Sequence, residues 1–188
     1  VGRPQLDENP APSIPESTRR TVLYAPTWAG EDEANNYTSM EFMGSQITDA
    51  ILAQDNVRVI YKPHPRIADA DDQRIRKSHA YVLRAIKQAN SKDSSAGHQV
   101  RESGDILAIF PRIDVLISDV SSVALDFLYL RTDAPIILTD RRNNIDQLRI
   151  DSPLSAATPV LTKDNINDAR KIIGEVLNTD NLVQDRKV

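Results

Sequence analysis

Four short, mainly apolar runs punctuate the chain, at residues 21–25, 57–61, 114–118 and 135–139. Each is too short for a helix and rich in Val, Ile and Leu, the pattern of strands buried on both faces of a parallel sheet. Longer amphipathic stretches separate them. Residues 40–52 place Phe42, Met43, Ile47, Ala50 and Ile51 at helical spacing, and residues 75–89 do the same with Ile75, Val82, Leu83 and Ile86. Helices are also predicted over 123–130 and over 165–177, the latter with Ile166, Ala169, Ile173 and Leu177 on one stripe. A short helix is expected around Ile106 to Phe110, and a polar loop over 91–97. Strands alternating with helices in this way specify α/β architecture: a Rossmann-like, doubly wound parallel sheet.

Residues 1–20 break the pattern. Pro4, Pro10, Pro12 and Pro15 stand among polar residues, a composition that buries little and reads as an extended linker or the exit from a preceding domain. Residues 21–188 then form the one folded domain. With 188 residues, 40% of them apolar, the chain can build one core unaided. Its net charge of -4 argues against a nucleic-acid footprint, which needs concentrated Lys and Arg. No apolar run is long enough to span a bilayer. The absence of cysteine excludes disulfides and thiolate metal sites and makes the cytoplasm the expected compartment.

In parallel sheets of this kind ligands bind beyond the carboxyl ends of the strands, and three constellations fall there. The run 114–118 leads through Asp119 and Val120 into Ser121 and Ser122 at the start of a helix. Either serine is a natural N-cap, and a helix N-terminus with two added hydroxyls is suited to bind an anion. An ordinary capped helix is the plainer alternative. Asp119 could orient the serines, bind a ligand hydroxyl or hold a cation. Asp126, off the stripe of Val123, Phe127 and Leu130, reads more simply as a solvated aspartate. Two carboxylates do not make a metal site, and no metal is assigned.

The second constellation is Lys62-Pro63-His64-Pro65-Arg66, directly after the run 57–61. A residue preceding proline is kept out of the helical region, so Lys62 and His64 are presented rigidly. An imidazole flanked by two cations suits contact with, or proton transfer to, a phosphate. A tight turn with a packing histidine is the alternative. The third is Tyr24-Ala25-Pro26-Thr27-Trp28, where Thr27 could donate to a phosphate and Trp28 could wall a pocket. His79 and His98 are expected at the surface. Arg131, Arg141 and Arg142 read as solvated charge with some scope to meet a phosphorylated ligand.

Taken in order, YAPTW, KPHP and DVLISDVSS…DF resemble the CDP-glycerol:poly(glycerophosphate) glycerophosphotransferase family of teichoic acid and capsule synthesis, over residues 21–139. The chain departs from the family pattern at Val120, often aromatic there, and at Ala29-Gly30-Glu31-Asp32, where a basic residue is usual. The resemblance implies the C-terminal, donor-binding half of a GT-B fold, with CDP-glycerol or CDP-ribitol as donor and a polymer or lipid-linked acceptor reached through an N-terminal domain. It implies no resident cofactor, leaves a divalent metal open, and places the full-length protein at the inner face of the bacterial plasma membrane. His64 matches the family's essential histidine, and Ser121 and Ser122 its phosphate-binding pair. Lys62, Arg66 and Thr27 become further diphosphate contacts, with Asp119 and Asp126 as hydroxyl-binding or orienting residues. UDP-sugar transferases and epimerases share this strand-to-helix site, so a UDP-sugar enzyme or a non-catalytic nucleotide-binding module is the alternative.

Overall fold

The computed structural model describes residues 10–179 and Leu182. Six parallel strands form one sheet in the order β3-β2-β1-β4-β5-β6. They are β1 (Arg20–Ala25), β2 (Val57–Tyr61), β3 (Gln99–Val100), β4 (Val115–Asp119), β5 (Ile136–Asp140) and β6 (Val160–Thr162). The four apolar runs are the four central strands, each within one residue of the expected bounds. The edge strands β3 and β6 escaped notice because they are two and three residues long and only partly buried. The chain reverses its order of strand addition between β1 and β4, and there the crossovers diverge to opposite faces and open a crevice.

Helices α1 (Gly44–Leu52), α2 (Gln73–Lys92) and α5 (Ala169–Asn178) pack with Val22, Tyr24, Val59, Tyr61 and Ile117 in one apolar cluster. The opposite face is thinner. There α3 (Ser122–Leu130) packs with Leu23, Ile60 and Leu116, its Phe127 meeting Phe110 edge-on at 5.0 Å. A short helix not foreseen from sequence, α4 (Ile145–Asp151), buries only Leu148. The expected helix near 106–110 is a turn followed by a 3-10 turn at Phe110–Arg112. α2 continues to Lys92, into the stretch expected to be loop. Its start is fixed by Asp72, whose carboxylate accepts from the Arg74 N–H at 2.7 Å.

Residues 10–19, expected as linker, lie against the thin face. Ile14 is buried in its cluster, Ser13 N–H donates to Ala108 O, and Arg58 and Arg101 donate to the carbonyls of Pro15 and Ser13. One apolar residue and a row of arginine donors suffice to dock a segment that its composition marks as unstructured. The histidines also differ from expectation. His79 is buried in α2 with Nδ1 2.9 Å from the Tyr61 hydroxyl. His98 Nδ1 accepts from the Val59 N–H at 3.0 Å, so an imidazole satisfies a strand amide beside short β3.

Gly44 sits where α1 meets α2. A Cβ there would lie 2.5 Å from Ser78 Oγ and 2.9 Å from Met40 Sδ. Gly44→Val is therefore expected to destabilise the fold by about 1–3 kcal/mol, measured as a lower denaturant midpoint at unchanged slope. An unchanged midpoint would show that this helix crossing is looser than described.

Candidate functional site

At the crevice between β1 and β4 lies a pocket of about 340 Å³. The β1 exit contributes Pro26 and Thr27, the β2 exit Lys62 to Pro65, and the β4–α3 junction Ser121 and Val123. A fourth side, Gly104 to Ile106, comes from the loop after β3. That side was not anticipated, because the strand delivering it was not recognised. The pocket thus joins the second constellation to the first, although Lys62 and Ser121 lie 59 positions apart in the sequence.

Lys62 is 8% exposed, and among the described residues its ammonium makes no hydrogen bond or ion pair. Burial pushes its pKa down, and Asp105 on the facing loop pulls it back up. The aliphatic stem is thus buried while the ammonium keeps solvent contact at the pocket, where phosphate oxygens would take its hydrogens. His64 follows with φ -61 and ψ 139, the extended geometry that the next proline imposes. Its backbone N–H donates to Pro26 O at 3.0 Å. Its Nδ1 accepts from the Arg66 N–H at 3.2 Å. A ring nitrogen that accepts carries no proton, so the neutral imidazole holds its hydrogen on Nε2, which has no other partner among the described residues. Burial first, then Arg66 and Lys62, hold the His64 pKa below its ordinary value, which keeps the ring neutral at pH 7.

Ser121 is the N-cap of α3, with extended backbone, yet its side chain makes no capping bond. Its hydroxyl lies 3.3 Å from Ser118 Oγ, which in turn donates to Ala25 O. The first-turn N–H groups of α3 therefore start at the pocket without a capping side chain over them, and the helix dipole adds partial positive charge.

Four predicted residues lie elsewhere. Ser122 is the exposed first residue of α3 and does not line the pocket. Arg66 turns outward, its guanidinium 4.2 Å from the centre of the Trp28 ring. Asp126 is buried rather than solvated and is absent from the pocket wall. Asp119 is fully buried: Oδ2 accepts from the Thr27 N–H at 2.7 Å and Oδ1 from Thr139 Oγ1 at 2.6 Å. It therefore pins the β1 exit from beneath and reaches neither the serines nor the pocket. Trp28 lines an adjoining hollow together with Glu31, Asp32 and Asp72. Arg141 is committed to Glu33 and Glu41, Arg142 to Asp151 and the Tyr37 ring, and Arg131 to Asp133.

Burial raises the Asp119 pKa to about 6, against the opposing pull of its hydrogen bonds from Thr139, Ser39 and Thr27. The native state then holds this proton more tightly than the unfolded chain, so the contribution is full below pH ~4 and is lost as pH rises through ~6. Relative to Asp119→Asn, the wild type is expected to lose about 2 kcal/mol of stability between pH 4 and pH 7. Denaturant titrations of both proteins at the two pH values measure this, and parallel pH profiles would contradict it.

The pattern defining the CDP-Glycerol:Poly(glycerophosphate) glycerophosphotransferase family matches residues 11–141, more than half the chain. The chain belongs to this family. Among solved structures it is similar to an alpha,alpha-trehalose-phosphate synthase (UDP-forming) from Burkholderia vietnamiensis, with TM-score 0.61 and 13% identity, over 89% of this chain and 38% of that one. The N-terminal domain of Candida albicans trehalose-6-phosphate phosphatase gives TM-score 0.61 and 11% identity, over 90% of this chain and 37% of that one. A Listeria monocytogenes protein assigned as a UDP-N-acetylglucosamine 2-epimerase gives TM-score 0.56 and 12% identity, over 96% and 44%. No curated protein matches the sequence. These likenesses establish a Rossmann-like α/β fold of the kind found in GT-B enzymes. The chain spans less than half the length of each of these solved chains. None of its described helices is long and apolar enough to cross a membrane.

Proposed function

We propose that this glycerophosphotransferase domain binds the diphosphate of a CDP-alditol, CDP-glycerol or CDP-ribitol, in the pocket between the β2 exit and the start of α3. The observation that carries this reading is the Lys62 ammonium, without a hydrogen bond or ion pair among the described residues, opening on the pocket beside His64 and the N-terminus of α3. Three different donors, an ammonium, an imidazole N–H and backbone amides, converge on a space suited to phosphate oxygens.

In the reaction, an acceptor hydroxyl attacks the β-phosphorus in line. A new O–P bond forms, the bond to the bridging oxygen of the diphosphate breaks, and CMP leaves with that oxygen. The departing CMP gains negative charge as the bond breaks. Lys62, His64 Nε2–H and the α3 amides stabilise that charge in a low-dielectric setting, the usual source of catalysis in phosphoryl transfer. The acceptor, a teichoic acid or capsule-like polymer at the inner face of the plasma membrane, and the base that deprotonates its hydroxyl are assigned to parts of the protein beyond residues 1–188. Thr27 offers a further hydroxyl from the β1 exit.

Titration calorimetry of the chain with CDP-glycerol, CMP and UDP-glucose tests the proposal. Binding of CDP-glycerol and CMP at least tenfold tighter than UDP-glucose is expected. The reverse order would favour a UDP-sugar enzyme, in keeping with the solved neighbours, and no cytidine nucleotide binding by the folded chain would remove the donor-site reading.

A further inference from the structure

We infer that Trp28 is the positioning residue for His64, clamping the imidazole so that its Nε2–H faces the pocket. The inference rests on the reading that His64 contacts the donor. The two rings stack with centroids 5.9 Å apart and planes 24° from parallel. Trp28 also carries the Arg66 guanidinium over its ring, and Arg66 supplies the backbone N–H that His64 Nδ1 accepts. One indole therefore holds both the imidazole and the residue that selects its tautomer.

The indole is itself anchored. Its neighbour Thr27 is tied by its N–H to fully buried Asp119, which Thr139 fixes from β5. Pro26 O receives the His64 N–H, so the β1 exit grips the β2 exit by backbone and by ring. This explains the placement of the sole tryptophan of the sequence beside the pocket rather than in its wall. Half-buried imidazole otherwise rotates about two side-chain bonds and exchanges its two nitrogens, and a donor hydrogen bond to phosphate needs one nitrogen in one direction. The adjoining hollow reinforces the arrangement: Asp69, Asp71 and Asp72 line it with Arg66, and their charge favours that guanidinium outside the donor pocket. The charged groups facing His64 are Lys62 and Arg66 of its own loop and Asp105 across the pocket; the β1 exit presents Thr27 and Trp28, with Glu31 and Asp32 further along it in the adjoining hollow.

Long-range 15N NMR of the histidine rings tests the clamp in the chain itself, and turnover in the intact transferase tests its consequence. In wild type and in Trp28→Phe, His64 is expected as the Nε2–H tautomer. In Trp28→Ala it is expected to average between tautomers, with its pKa moving up toward the ordinary value. Turnover should fall roughly tenfold in Trp28→Ala with donor KM within about twofold, and Trp28→Phe should restore most of it. Trp28→Leu, which fills the space without a ring face, separates clamping from packing: it should behave as Trp28→Ala in tautomer while keeping wild-type stability. A His64 tautomer unaffected by Trp28→Ala and Trp28→Leu overturns the clamp, as does an Nδ1–H tautomer in wild type. Full activity of His64→Ala alongside a Trp28-dependent tautomer would instead overturn the donor-site reading and leave the clamp standing.

Discussion

Lys62→Met is expected to weaken CDP-glycerol binding by about 100-fold while leaving the fold at least as stable as wild type. The two effects have one cause. Burial of the side chain holds the Lys62 pKa down, so partial desolvation of the ammonium costs some stability that no hydrogen bond among the described residues returns. Methionine keeps most of the aliphatic stem, so packing against the β1 exit changes little, and the unfavourable burial of charge is removed. A gain of up to about 1 kcal/mol in unfolding free energy fits this exchange, as it does for many substitutions at sites shaped for function. The loss on the ligand side is larger, because a charge-assisted contact to phosphate in a mostly buried setting is worth about 2–3 kcal/mol. Calorimetry and denaturant melts on the same preparation read both. A variant that loses stability along with affinity would show that the ammonium supports the fold and that its partner is intramolecular.

His64→Ala has the second large expected effect, on turnover more than on affinity. In the intact transferase it should lower kcat by roughly 100- to 1000-fold and change the donor KM by less than about tenfold. The asymmetry follows from what the Nε2–H meets. On the proposed binding mode, the ground-state diphosphate already has Lys62 and the α3 amides. As the bridging oxygen departs with its growing charge, one more fixed donor gains value that binding alone does not report. His64→Gln, which keeps an N–H donor, should recover part of the loss. Equal falls in affinity and turnover would place His64 among simple binding groups.

The strands and the two motif-bearing loops are legible in the sequence for a physical reason. Central strands of a parallel sheet are buried on both faces, so Val57–Tyr61 and Ile136–Asp140 leave a dense apolar trace, broken only by Arg58 in the first and by Thr139 and Asp140 at the end of the second. Pro63 and Pro65 restrict the backbone at Lys62 and His64 irrespective of tertiary context, which is why that loop could be read as rigid before its neighbours were known. Features set by a single long-range contact leave no such trace. β3 and β6 carry too few residues for a periodic signal, so the Gly104 to Ile106 wall was missed with β3. Ile14 alone docks the proline-rich segment, and neither its burial nor the arginine donors across the fold are visible locally.

The charged residues show the same division. Asp119 at a strand end is read from sequence as a ligand group, because polar residues there usually face the crevice. Its alternation places it inward instead, where Thr27 and Thr139 use both oxygens. Asp126 follows the same course on α3, and Arg66 turns to Trp28. Of the predicted diphosphate contacts, Lys62, His64, Thr27 and Ser121 come together. Ser122 and Arg66 do not line that space. The pocket is thus lined by fewer residues than the motifs contain: of YAPTW it takes Ala25, Pro26 and Thr27, while Trp28 stacks on His64.

The most direct measurement is a crystal structure of the chain with CDP-glycerol. Diphosphate oxygens are expected within hydrogen-bond distance of Lys62 Nζ, His64 Nε2 and the first-turn amides of α3, with Arg66 still on Trp28. A diphosphate seated instead on Arg66, or beyond β5 on Arg141 and Arg142, with the Lys62 pocket empty, would contradict the donor-site reading.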